Sequence, residues 1–153
     1  MQDNGFTLIE LMIACAILSV LALLSIPLLH LGGQTTAWQA AERLRLDIEL
    51  AKLRASTSYQ IMRLCPTENL STCQDMWHRD YLLMNIAENK PLSIQQLPRE
   101  ITLQYRGFPH ADFIDFSPTG HLISNGTFSV FHRGRLYYRV IINHGSRVKI
   151  ETT

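Results

Sequence analysis

The feature that most restricts this chain is a run of 21 uncharged residues, 11–31, placed directly behind a glutamate at position 10. Only Ser19, Ser25, Pro27 and His30 interrupt its apolar character. A helix rises about 1.5 Å per residue, so the run covers roughly 30 Å, one bilayer hydrocarbon core. A secretory signal has a shorter apolar region and a small-residue cleavage site behind it. Here Pro27-Leu28-Leu29-His30 stands where such a site would be. The run is expected to be a retained anchor. Glu10 at its head then needs explaining, because a carboxylate near hydrocarbon costs a few kcal/mol at mid-span and less near the interface. Either it meets a cationic partner or it sits in the headgroup zone with its oxygens in water.

The chain from Gly33 onward is long enough for one compact domain. Its charge is unevenly spread. Residues 59–130 hold five basic and seven acidic side chains, whereas 133–153 hold Arg133, Arg135, Arg139, Arg147 and Lys149 against Glu151 alone. The C-terminal end is therefore a basic patch on a nearly neutral protein. Of the three cysteines, Cys15 falls in the apolar run and reads as a small hydrophobe. Cys65 and Cys73 flank the polar stretch Pro66-Thr67-Glu68-Asn69-Leu70-Ser71-Thr72. Outside the cytoplasm a short disulfide is the natural outcome, stabilising by about 2–3 kcal/mol through loop closure. The rival is a metal site with His78 as third ligand, which lacks a fourth ligand and conventional spacing.

Residues 32–58 carry a helical pattern: Trp38, Ala41, Leu44, Ile48, Ala51 and Ala55 recur at steps of three and four. Leu46, Leu50 and Leu53 form a second stripe roughly opposite the first. One stripe would dock a globular head. The other calls for further subunits, or for a helix sunk within its own domain. Strands are expected at 59–64, 81–86, 101–106, 112–116, 127–132, 136–143 and 147–151, with a type I turn at Ser117-Pro118-Thr119-Gly120 and a tight hairpin at Asn125-Gly126. Leu136, Tyr138, Val140 and Ile142 should share one strand face, and Arg147 and Lys149 another. A long helix followed by a strand-only head is an α+β architecture.

Gly5-Phe6-Thr7-Leu8-Ile9-Glu10, leading straight into the apolar run, resembles the processing signature of type IV prepilins and type II secretion pseudopilins. That resemblance implies a leader at 1–5, cleavage by prepilin peptidase between Gly5 and Phe6, and N-methylation of Phe6. It implies an anchor and filament-core helix over 6–31, continuing through 32–58 into a head at 59–153. It also implies that Glu10 faces the amino terminus of a neighbouring subunit during assembly. Pro27 falls where pilin helices commonly kink, as a missing backbone donor would have it. The leader departs from the usual pattern in having one acid and no base. In the head, "LCPTENLSTCQDMW", "YLLMN", "IDFSPTGHLISNGTFSV" and "VIINHGSRVK" are similar, in that order, to the FimT/FimU and GspH group of minor pilins. The partners implied are other pilin subunits, prepilin peptidase and the inner membrane, with the head in the periplasm until a pilus or pseudopilus takes it up.

The FimT-like branch of that group implies DNA capture for natural transformation through a C-terminal Gly-Arg-x-Arg motif. This chain has Gly145-Ser146-Arg147-Val148-Lys149, with a serine inserted and lysine as the second base. Arg147 and Lys149 would meet phosphates, with Arg133, Arg135 and Arg139 extending the footprint and Phe131 or Tyr137 offering a ring for stacking. Two to five phosphate contacts predict weak, sequence-independent binding with a log–log salt slope of roughly −2 to −4.5. The alternative is a solvated basic strand edge that discourages unwanted pairing, in a structural minor pilin or a GspH-like pseudopilin of type II secretion. Nothing points to an enzyme or a cofactor. The six histidines are scattered, and no His-x-x-x-His, Gly-x-Ser-x-Gly, P-loop or dinucleotide pattern occurs.

Overall fold

The computed structural model describes residues 8–119, 121, 123–143 and 147–153, with the side chains of 22–31 excepted. Contacts divide the chain into a unit ending at Gln34 and a unit Thr35–Thr153. Among the described residues a helix, α1 (Leu8–Ser58), is followed by eight strands: β1 (Met62–Pro66), β2 (Tyr81–Asn85), β3 (Lys90–Gln95), β4 (Ile101–Phe108), β5 (Ile114–Phe116), β6 (Asn125–His132), β7 (Arg135–Ile142) and β8 (Val148–Thr152). They form two antiparallel sheets, β3-β2-β1-β5 and β4-β6-β7-β8.

Within the second unit α1 supplies an alanine-rich ridge. Ala37, Ala40, Ala41, Leu44, Ile48, Ala51 and Ala55 are buried in one core with Met62, Leu64, Tyr81 and Leu83 of the first sheet and Leu103, Phe128, Val130 and Val140 of the second. The short side chains let both sheets approach the helix axis. The expected first stripe is this ridge, except that Trp38 stays 45% exposed and packs edge-on against Tyr138 at 5.4 Å. The second stripe, Leu46, Leu50 and Leu53, is exposed rather than sunk in the domain. Asp47 sits beside the ridge and accepts a hydrogen bond from the Tyr81 hydroxyl at 2.8 Å, tying helix to sheet. Burial pushes the Asp47 carboxyl above its ordinary value against the pull of that bond and of Arg43.

The strand pattern corrects several expectations. Tyr59 takes a left-handed conformation (φ 54°) at the end of α1, so the first strand begins at Met62 and not at 59. β3 escaped the sequence pattern because it is an edge strand carrying Lys90 and Pro91, the residues that discourage pairing on a free edge. Asn125-Gly126 is not a hairpin turn: Gly126 lies inside β6 opposite Gly107 of β4. A Cβ at either glycine would run into the Tyr105 ring that covers the pair. The tight turn is Arg133-Gly134, both with positive φ (49° and 79°), the type I′ geometry of a two-residue hairpin. A bulge opposite Val130 and Phe131 skips Tyr137 in the β6–β7 register. Leu136 therefore leaves the face of Tyr138 and Val140, and Tyr137 packs on the core instead.

Candidate functional site

At the N-terminal end, Glu10 lies in the first described turn of α1, where the helix dipole favours an acid. Around it Leu8, Ile9, Leu11, Met12, Ile13, Ile17, Leu18, Val20 and Leu21 are all more than half exposed. Gly5 and Phe6, the expected cleavage pair, lie outside the described residues, as do the side chains of half the expected span. Among the described residues no helix is long and apolar enough to cross a membrane.

The first sheet is partly covered on its outer side, where a concavity of about 430 Å³ remains between Arg63, Met84, Ile86 and the disulfide loop. Cys65 and Cys73 are disulfide-bonded, with Cα atoms 5.4 Å apart, which removes them from any metal site with His78. The loop so formed covers Cys65, Leu82 and Met84. Asn69 ties the loop to itself by accepting from the backbone N–H groups of Ser71 and Thr72 at 3.1 and 3.0 Å. Asp80, also buried, accepts from Arg79 at 2.9 and 2.7 Å and from the Leu97 N–H at 3.1 Å. Those bonds, that from Arg79 foremost, hold its carboxyl below the usual range. Arg63 donates two bonds to Asp115 across the β1–β5 pair, at 2.7 and 2.8 Å, and stacks 3.6 Å over the Phe113 ring. Asp115 is thus the ion-pair partner of Arg63. Among the described residues no three His, Cys, Asp or Glu side chains gather as a metal site.

The second sheet is open on its outer side. Strand register places side chains there in rows: Arg106, Thr127, Ile141 and Lys149 in one, Gln104, Ser129, Arg139 and Glu151 in the next. Phe131 and, through the bulge, Leu136 extend the face toward the hairpin turn. The result is a shallow concavity of about 610 Å³ lined by Gln104, Arg106, Thr127, Ser129, Phe131 and Arg139. Its back is rigid: Tyr105, Phe128 and Trp77 pack ring against ring at 4.5–5.8 Å, and burial pushes the Tyr105 hydroxyl up to about 12.

The five basic residues singled out in the sequence do not form one patch. Arg139 and Lys149 share the outer face, and Arg147 is exposed just before β8. Arg133 and Arg135 lie at the hairpin turn, Arg135 being six residues from Ile141 along β7, roughly 20 Å at strand rise. Arg133 is also drawn to Glu100 at 4.0 Å, and Arg135 lies over the Tyr137 ring at 5.4 Å. Lys149 donates to Glu151 at 2.9 Å on the same face. Arg106 takes the place of the distant pair. It was readable, since Ile101, Leu103 and Tyr105 alternate with Thr102, Gln104 and Arg106; which strand lay opposite was not.

Comparison with known proteins follows the same division. Residues 1–26 match the family model for the prokaryotic N-terminal methylation motif, and residues 40–146 match that for type II transport protein GspH. The second match ends just before Arg147 and Lys149. Among solved structures the chain is similar to the type IV minor pilin FimU of Pseudomonas aeruginosa (TM-score 0.59, 17% identity, 74% of this chain and 87% of that one). It is also similar to the minor pseudopilin EpsH of the Vibrio cholerae type II secretion system (TM-score 0.61, 12% identity, 78% of this chain and 95% of that one). No curated protein matches it in sequence.

Proposed function

The chain belongs to the type II transport protein GspH family, and from that premise we propose that it is a processed, membrane-anchored minor subunit of a type IV pilus whose head captures DNA without sequence preference. Prepilin peptidase cuts between Gly5 and Phe6 and leaves Phe6 N-methylated. The helix over 6–31 holds the subunit in the inner membrane and then in the filament core, with the head in the periplasm beforehand. Glu10 meets the new amino terminus of a neighbouring subunit, a cation brought to a carboxylate at the edge of an apolar helix. The exposed stripe Leu46, Leu50 and Leu53 supports further packing between subunits.

The observation that carries DNA capture is the outward row that brackets Thr127 and Ile141 with Arg106 and Lys149, beside Arg139 in the next row. With Arg147 close by, three or four phosphates can be met, giving a salt slope of roughly −2.5 to −3.5. Weak binding per subunit suits a filament that holds DNA at many points and retracts. The test is titration of fluorescent DNA with the full chain in detergent, as wild type and as Arg147→Gln/Lys149→Gln, at two salt concentrations. Wild-type binding that weakens with salt and is mostly lost in the folded double variant is expected. Absence of binding at low salt would leave a structural pseudopilin of type II secretion. Two observations favour that second function: Lys149 is engaged by Glu151, and Arg133 by Glu100.

A further inference from the structure

We infer that the open face of β4-β6-β7-β8 takes a single-stranded nucleic acid, with unstacked bases laid on its apolar part and the phosphate chain along its cations. This rests on the DNA-capture function proposed above and specifies the strand it would bind. The face is not uniformly basic. Arg106, Arg139 and Lys149 share it with Phe131, Leu136 and Ile141, each of them partly exposed, and with the neutral hydroxyls of Thr127 and Ser129. A duplex presents phosphate ridges on its outside and keeps its bases stacked inside. Set on this face, its charged ridges would lie against Phe131, Leu136 and Ile141 and lose water without compensation. A single strand is amphipathic in the same way as the face. Its bases can cover the phenyl ring and the two aliphatic side chains while its phosphates reach the guanidinium and ammonium groups.

The dimensions agree. Four strands at about 4.8 Å spacing put Arg106 and Lys149 on opposite margins, about 14 Å apart. The concavity between them is shallow enough for splayed bases to enter. Glu151 is the one acid in these two rows, and its bond to Lys149 lowers the charge available to a phosphate. It should act as a brake on binding.

The experiment is anisotropy titration of the full chain in detergent with three probes of about 12 nucleotides, within the size range of sheet and barrel platforms. They are a mixed-sequence DNA strand, the RNA strand of the same sequence, and the DNA duplex. The strands are expected to bind at least roughly fivefold tighter than the duplex. Phe131→Ala should lower strand affinity by roughly fivefold or more while leaving the weak duplex affinity unchanged. Arg106→Gln should lower affinity for every probe, and Glu151→Gln should raise it by roughly twofold to fivefold. Phe131 is only half-buried, and Arg106→Gln tests the same face without touching packing.

Duplex binding equal to or tighter than strand binding, with Phe131→Ala silent, would overturn this inference and leave DNA capture standing. RNA bound tenfold tighter than DNA would keep the single-strand face and overturn DNA capture. No binding by any probe at low salt would overturn both.

Discussion

The two sheets of the head have four strands each and the same antiparallel pairing, yet their outer faces are covered to different degrees. The β3-β2-β1-β5 sheet is mostly covered: every residue of β2 is buried, and Cys65, Leu82 and Met84 pack with Cys73 and Phe113, leaving a concavity of about 430 Å³ lined by Arg63, Met84 and Ile86. The β4-β6-β7-β8 sheet seals only its inner face, where Phe128, Val130 and Val140 meet the α1 ridge. Its outer face carries charge, hydroxyls and a few apolar side chains in the open. A sheet largely covered on both sides acts mainly as a strut, whereas one open on a side can meet a ligand.

Substitutions on the outer faces of the two sheets should therefore have unlike costs. Leu82→Ala, fully buried under the loop, should destabilise by about 2–5 kcal/mol through lost packing and a cavity. Ser129→Ala or Arg139→Gln on the open face should change stability by less than about 0.5 kcal/mol. Thermal unfolding of these variants decides it, and a large cost at Ser129 would mean that face is packed. Replacing both cysteines of the Cys65–Cys73 bridge by serine should cost about 2–3 kcal/mol, read from the denaturant midpoint, and leave DNA affinity unchanged.

Acid should weaken the bonds that anchor the start of β2. The folded Asp80 carboxyl lies below its unfolded value because Arg79 and the Leu97 N–H bond to it. Its stabilisation is present above the unfolded value and is lost as pH falls through the folded one. Asp80→Asn should flatten the loss of stability below about pH 5. Asp47 works in the opposite sense, since burial raises its folded value. Its contribution is fullest below the unfolded value and fades as pH rises through the folded one. Asp47→Asn should therefore gain relative to wild type as pH increases from the carboxylate range, as pH-dependent denaturation would show. The smallest effect on folding and the largest on binding belong together: Arg106→Gln/Arg139→Gln/Lys149→Gln should unfold like wild type while its DNA salt slope falls by roughly 2 to 3.

How much of this was readable beforehand depended on the range of the contacts involved. The α1 ridge, the core alternation of β4 and the Cys65–Cys73 bridge depend on local periodicity or short loops, and the sequence displays them directly. The hairpin at Arg133-Gly134 was masked by the stronger turn signature of Asn125-Gly126, because the glycine there serves the Tyr105 ring rather than a turn. The face of Leu136 depended on a bulge, which no alternation pattern announces. Counted along the chain, the basic residues from Arg133 to Lys149 look contiguous. Strand register splits them, sending Arg133 and Arg135 to one end and bringing in Arg106, which precedes Lys149 by 43 residues in sequence, well beyond any local pattern.

The most direct test of the open-face account is a backbone amide NMR titration of the isotopically labelled protein with single-stranded DNA at low salt. The account predicts shift changes concentrated at Arg106, Thr127, Ser129, Arg139 and Lys149, with β1, β2 and the 67–80 loop unmoved. Changes confined to the disulfide loop and the first sheet, or none at saturating DNA, would contradict it.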